Sequence, residues 1–104
     1  MNNQETNQVN DQRNEKKEQY APHFDQYEKK EQTIIYILWQ IQNRKIRVGS
    51  KLFFEPLNKK FGLSKSQWPL VKEFLSGAGL LVDQVVIAES IPKYLKERYG
   101  IVNE

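Results

Sequence analysis

The chain of 104 residues carries 16 Lys+Arg against 13 Asp+Glu, a net charge of +3, and no cysteine. That length suits a single domain, and the missing thiols exclude a disulfide scaffold, a thiolate zinc site and a cysteine nucleophile. One histidine, His23, is too few for a His-based catalytic pair or a multi-His metal site. The longest near-continuous apolar run, Ile34 to Ile41, falls far short of the roughly 20 residues of a membrane span. No apolar stretch follows Met1 in the manner of a secretory signal, so the expected compartment is the cytoplasm.

Residues 1–23 are crowded with Asn, Gln, Glu and Lys, and Val9 is the one strongly apolar side chain between Met1 and Tyr20. Such a stretch buries too little apolar surface to offset its conformational entropy, which predicts a disordered polar arm. Ala21-Pro22 turns the backbone away from helix, and the folded domain is expected over residues 24–104. Charge divides near the same place. Residues 1–32 hold five basic and seven acidic side chains, whereas residues 33–104 hold eleven and six. From Arg44 to Lys72, eight basic residues stand against Glu55 alone, a local balance of +7.

A first helix is expected from about Asp25 to Asn43, with Asp25 and Glu28 spaced as a capping box and Phe24 as its staple. Tyr27, Ile34, Ile35, Leu38, Trp39 and Ile41 recur along it at helical spacing. Ile46-Arg47-Val48 alternates apolar and basic before Gly49-Ser50, which predicts a short strand. Lys51 to Phe54 reads as extended, with one of the adjacent Phe53 and Phe54 in the core and the other exposed or in contact with a partner. Pro56 suits the start of a short helix, Pro56 to Phe61, that buries Leu57 and Phe61 and stops at Gly62.

Two caps compete for the next helix. Ser64 with Gln67 forms a capping box but puts Pro69 where its missing N–H removes a backbone bond. Ser66 places Pro69 among the unpaired N–H groups of a first turn, so Ser66, or a distorted first turn, is the expected start. Trp68, Leu70, Val71, Phe74 and Leu75 then face inward, up to Gly77 and Gly79. Leu80-Leu81-Val82 and Val85-Val86-Ile87 around Asp83-Gln84 predict a tight hairpin. Pro92 opens a last helix through Tyr99, with Gly100 as its stop.

Taken together, the strand Ile46–Val48, Gly49-Ser50-Lys51-Leu52, the turn Phe61-Gly62-Leu63-Ser64, the helix through Ala78 and Gly79-Leu80-Leu81 follow one another in a known order. In that order the chain resembles a winged helix-turn-helix domain. From Ser64 to Leu81 its spacing is similar to that of gluconate-repressor-type DNA-binding domains. The resemblance implies an α+β, mainly α fold: a winged helix-turn-helix with a short three-stranded sheet and a C-terminal helix. It also implies that the turn opening the third helix reads bases in a major groove about 12 Å wide. The matching positions are Lys65, Ser66 and Gln67, with Lys72 further along, and Gln84 at the wing tip as a minor-groove contact. Arg44, Lys45, Arg47, Lys51, Lys59 and Lys60 would then face phosphates, which position a protein without specifying sequence. Pro69 departs from the pattern, as does a wing tip without Lys or Arg. No effector domain follows, which disfavours a metabolite-responsive repressor.

Trp68 reads as a packing residue from its apolar spacing, and Ser64 and Ser66 as caps rather than nucleophiles. Lys93, Lys96 and Arg98 either extend a DNA surface or keep the last helix solvated. No carboxylate pair, metal cluster or phosphate-binding Gly loop supports an enzyme, and no catalytic residue, cofactor or metal is expected. The expected function is a sequence-specific, double-stranded DNA-binding accessory protein acting as a homodimer. Tyr36 or Ile37 on the first helix, or Tyr94, Leu95 and Tyr99 on the last, are the candidate dimer surfaces. Lacking an effector domain, it resembles accessory factors of plasmid or phage systems for transfer (relaxosome), partition or copy control, with a relaxase, replication or coupling protein as further partner. The alternative is a winged helix used as a protein-interaction module of a replication or transcription complex.

Overall fold

One helix supplies the centre of the computed structural model, which describes residues 20–103. Helix α1, Lys29–Gln42, buries Thr33, Ile34, Ile35, Ile37, Leu38, Trp39, Ile41 and Gln42. So wide an apolar face is covered from several sides at once, because a helix that is apolar over most of its circumference must lie inside the fold. Its start differs from the sequence expectation. Phe24–Gln26 forms a separate 3-10 turn, Tyr27 is extended, and Glu28 is the N-cap without a side-chain bond. The Asp25–Glu28 capping box is therefore absent. In its place the Tyr27 ring packs edge-on against Tyr99 at 5.8 Å, and Gln32 Nε2 donates to the Phe24 carbonyl at 3.1 Å.

The packed structure reaches back to Tyr20. Tyr20 and Ala21 are buried, although the sequence assigned both to the arm; the predicted disorder of the arm before them lies outside the described residues. The Tyr20 ring makes edge contacts with Phe24, Tyr36 and Trp39 at 5.1, 5.1 and 5.4 Å. Such pairs each contribute about 1 kcal/mol beyond their buried area. They anchor the chain before α1 begins.

Helix α2, Phe54–Phe61, begins two residues earlier than expected, with Pro56 still inside the first turn where an N–H has no helical partner. It ends at Gly62, whose φ of 76 lies in the left-handed region. Helix α3, Trp68–Gly77, follows a tight turn and carries Pro69 in its first two positions. Strands β1, Leu81–Val82, and β2, Val85–Val86, pair antiparallel with Leu81 opposite Val86 and Val82 opposite Val85. Asp83 and Gln84 at the tip both have positive φ, 51 and 68, as a primed two-residue hairpin turn requires. Helix α4, Lys93–Tyr99, is closed by Gly100 at φ 70.

The result is an α+β fold dominated by helices, and its sheet has two strands rather than the expected three. Residues Ile46–Val48 form no strand. Arg44 sits at φ 61 and Gly49 at φ 95, and the Ser50 amide donates back to the Arg47 carbonyl at 3.0 Å, so the segment turns instead of extending. The segment's one ladder pairing with the sheet is an isolated bridge between Lys51 and Val85. Around it, Gly49 N donates to Val86 O, Val86 N to Ser50 O, and Leu52 N to Gln84 O, each at 2.8 Å.

The core runs from α1 through Leu57, Leu63, Val71 and Leu75 to Leu80, Leu81 and Val86, and on to Ile91, Leu95, Tyr99 and Ile101. A polar clasp closes the end of α1. Buried Gln42 accepts from the Ile91 amide at 3.0 Å and donates to Asn103 Oδ1 at 2.6 Å. No helix among the described residues is long and apolar enough to cross a membrane.

Candidate nucleic-acid interface

The α2–α3 corner is built by short-range chemistry. Gly62 turns the chain, Leu63 is fully buried beneath it, and Asn58 Nδ2 donates to the Leu63 carbonyl at 2.8 Å. Ser64 and Gln67 then form the reciprocal capping box. Gln67 N donates to Ser64 Oγ at 3.3 Å, and Ser64 N donates to Gln67 Oε1 at 3.2 Å. The cap is thus Ser64 and not Ser66, whose hydroxyl shares a bond with Ser64 Oγ at 3.1 Å. Pro69 is accommodated because Lys65–Gln67 forms a distorted turn before α3 proper, with Trp68 N still reaching the Ser64 carbonyl at 3.2 Å.

That cap changes what the turn can offer a ligand. Lys65 and Ser66 are exposed, but Gln67 is half-buried with its Oε1 occupied by the cap. Lys72 is half-buried and holds its Nζ over the Trp68 ring at 5.3 Å. Trp68 itself packs against Phe54, with ring centroids 6.3 Å apart. Gln84, expected at the wing tip as a groove contact, turns inward and donates through Nε2 to the Leu52 carbonyl at 2.9 Å. Of the five base-reading candidates, Lys65 and Ser66 are the exposed ones.

The phosphate candidates are all exposed: Arg44, Lys45 and Arg47 in the loop after α1, Lys51 at the bridge, and Lys59 and Lys60 in the last turn of α2. Arg44 and Arg47 line one cleft of about 350 Å³ together with Ile46, Val48 and Glu89. Lys51 lines a second, apolar groove of about 200 Å³ that shares Ile46 with the first. Lys60 reaches the wall of that groove, its Nζ 5.4 Å from the centroid of Tyr36. Ile46 thus joins the arginine cleft to the groove that Lys51 lines.

Compared with protein families, curated proteins and solved structures, the chain matches none.

The opening turn of α3 belongs to a different surface. Gln67 and Leu70 share a hollow of about 300 Å³ with Glu28, Lys30 and Glu31 from the start of α1. Two carboxylates against one ammonium make that hollow unfavourable for a phosphate backbone. This neighbourhood and the Glu89 carboxylate in the arginine cleft arise from tertiary packing, and no sequence spacing announces either. Near Gly62 the Lys29 ammonium lies within 3.3 Å of where a Cβ would project, placing a cation at the C-terminal end of α2.

Among the described residues the one side-chain ion pair is Lys93–Glu97, at 3.8 Å on α4. Among the described residues, none of the eight cations from Arg44 to Lys72 is paired with a carboxylate. No group of three or more His, Cys, Asp or Glu side chains suited to a metal lies among the described residues. What the surface offers is positive charge on long side chains, several of them braced over aromatic rings.

Proposed function

We propose that this chain is a winged helix-turn-helix protein that binds double-stranded DNA as a homodimer and marks a site for other proteins rather than catalysing a reaction. The observation that carries the reading is the run of eight basic side chains between Arg44 and Lys72, opposed in sequence by Glu55 alone and, among the described residues, without an ion-pair partner. Cations gathered so closely along the chain repel one another, and they gain most by meeting a polyanion.

Three architectural facts support the winged-helix part: the α2–Gly62–α3 corner, the hairpin that follows α3, and the bridge tying Lys51 to β2. The engaged states of Gln67 and Gln84 put most of the binding on phosphates. Arg44, Lys45, Arg47, Lys51, Lys59 and Lys60 grip the backbone, and Lys65 and Ser66 are left to read base edges. For the dimer, Ile37, Leu95 and Tyr99 are buried, which removes them as contacts. Tyr94, 60 % exposed on α4, remains the apolar ring able to meet its symmetry mate.

Selection from a random duplex pool, followed by hydroxyl-radical footprinting of the enriched site, tests the reading. An inverted-repeat site with protected phosphates in both halves is the expected outcome. No enrichment of any duplex contradicts it.

A further inference from the structure

The bridge at Lys51 leaves one side of its backbone open. Antiparallel strands alternate between residues that exchange both main-chain bonds and residues that exchange none. Here Val86 N bonds to Ser50 O and Leu52 N bonds to Gln84 O, so Lys51 and Val85 are the non-bonded pair between them. The Lys51 N–H and C=O therefore point away from the hairpin, and among the described residues no hydrogen bond engages either. Phe53, two residues on and extended at φ −122 and ψ 146, aims its N–H to the same side. A donor, an acceptor and a second donor stand in a row.

The apolar groove lies alongside this row. It is walled by Tyr36, Ile37, Phe53, Pro56 and Leu57, and its volume of about 200 Å³ is below the roughly 300–1,000 Å³ of small-molecule sites. It has room for one large side chain. Phe53 is 55 % exposed at its edge. Lys51 lines it, with its Nζ 5.8 Å from the Phe53 centroid, and Lys60 Nζ lies 5.4 Å from the centroid of Tyr36, one of its walls.

We propose that the edge from Lys51 to Phe53 docks an extended acidic segment of a partner protein, which adds as a strand to Lys51 and buries one large apolar side chain in the groove between Tyr36, Phe53 and Pro56. Strand addition uses main-chain bonds for affinity and a side-chain pocket for specificity. The two lysines select for glutamate or aspartate beside the anchor. A nucleic-acid strand fits less well, since a phosphodiester offers acceptors only and leaves the Lys51 carbonyl without a donor. A second copy of this chain would set Lys51 against Lys51, and an edge lysine is a common device against such self-pairing. The acidic segment and DNA would share Lys51 and Lys60, but its docking at the open edge does not depend on DNA binding.

A short fluorescein-labelled peptide alternating glutamate with leucine and phenylalanine tests the inference against the full chain. Anisotropy titration is expected to show saturable binding, with chemical-shift change and slowed hydrogen exchange at the Lys51 and Phe53 amides. The same peptide N-methylated at alternate amides should bind about tenfold more weakly. Phe53→Ser should weaken binding by a similar factor, and it is expected to fold because Phe53 is the N-cap of α2, where serine is favoured. Four results overturn the proposal: no saturable binding, equal affinity for the N-methylated peptide, preferential binding of oligothymidine at these amides, or a dimer of the unliganded chain that Phe53→Ser dissolves. Duplex affinity of a Lys65→Ala variant, measured in parallel, reports on the DNA reading alone because Lys65 lies outside the groove.

Discussion

Ser64 and Gln67 hold one another in a closed pair, each backbone amide bonded to the other's side-chain oxygen, at 3.2 and 3.3 Å. The pair decides what the α2–α3 corner can offer. A glutamine at that position invites assignment as an adenine contact, yet here it satisfies the unpaired start of a helix.

Gln67→Ala should therefore cost stability first. Losing one half of a capping box is worth about 1 kcal/mol, and urea denaturation should show that loss with an unchanged dependence on denaturant. Duplex binding by this variant should fall on specific and random sequences alike, because the disturbance is to the corner and not to base reading.

Gly62 at φ 76 lets α2 meet α3, and a Cβ there would lie 3.3 Å from the Lys29 ammonium. Gly62→Ala should destabilise by about 1–2 kcal/mol, combining the left-handed backbone penalty with a shift of Lys29. Thermal unfolding followed by circular dichroism measures it. At Gly100, φ 70, a Cβ would sit 3.0 Å from Pro22 Cδ, so Gly100→Ala should also loosen the clasp between the first and last described segments.

The Gln42 clasp makes a further stability prediction. Gln42→Ala leaves the Ile91 amide without its acceptor and Asn103 without its donor. An unsatisfied buried donor costs about 1–3 kcal/mol. Hydrogen exchange at Ile91 should accelerate well beyond that at α1 amides.

Tyr99 gives the pH dependence. Its phenol is pushed up to about 12 from 10.0, first by burial, then by the nearby Glu31 carboxylate, to which its hydroxyl donates at 3.2 Å. The folded state holds the proton more tightly than the unfolded chain does. Its contribution to stability is therefore complete below pH 10 and is lost as pH rises towards 12. Alkaline denaturation should show this loss, and Tyr99→Phe should flatten it. Ultraviolet titration of tyrosinate, compared between the native chain and Tyr99→Phe, should show Tyr99 ionising late, and earlier in Glu31→Gln.

Much of this fold was legible in local chemistry. Gly62 and Gly100 end α2 and α4 as expected, the hairpin turns at Asp83-Gln84, and Phe53 and Phe54 divide between surface and core. Where the reading departed, a distant contact outweighed a nearby pattern. Asp25 and Glu28 have capping-box spacing, but Tyr27 between them is drawn to Tyr99 and the helix starts later. Ile46-Arg47-Val48 alternates like a strand, but the turn from Arg44 to Gly49 curls it away. At the candidate site, the list of exposed cations came directly from composition. The inward bond of Gln84 to Leu52 and the Glu28–Glu31 hollow beside α3 did not, since both need elements far apart in the chain to be packed together.

Salt dependence of duplex binding tests the role of the basic surface most directly. With six phosphate contacts from Arg44, Lys45, Arg47, Lys51, Lys59 and Lys60, the log of the association constant should fall against log salt with a slope near about −5. Lys59→Ala with Lys60→Ala should make that slope shallower by about 2 while weakening all sequences equally. No duplex binding at low salt, or binding with a slope near zero, would contradict the proposal that this basic surface meets DNA.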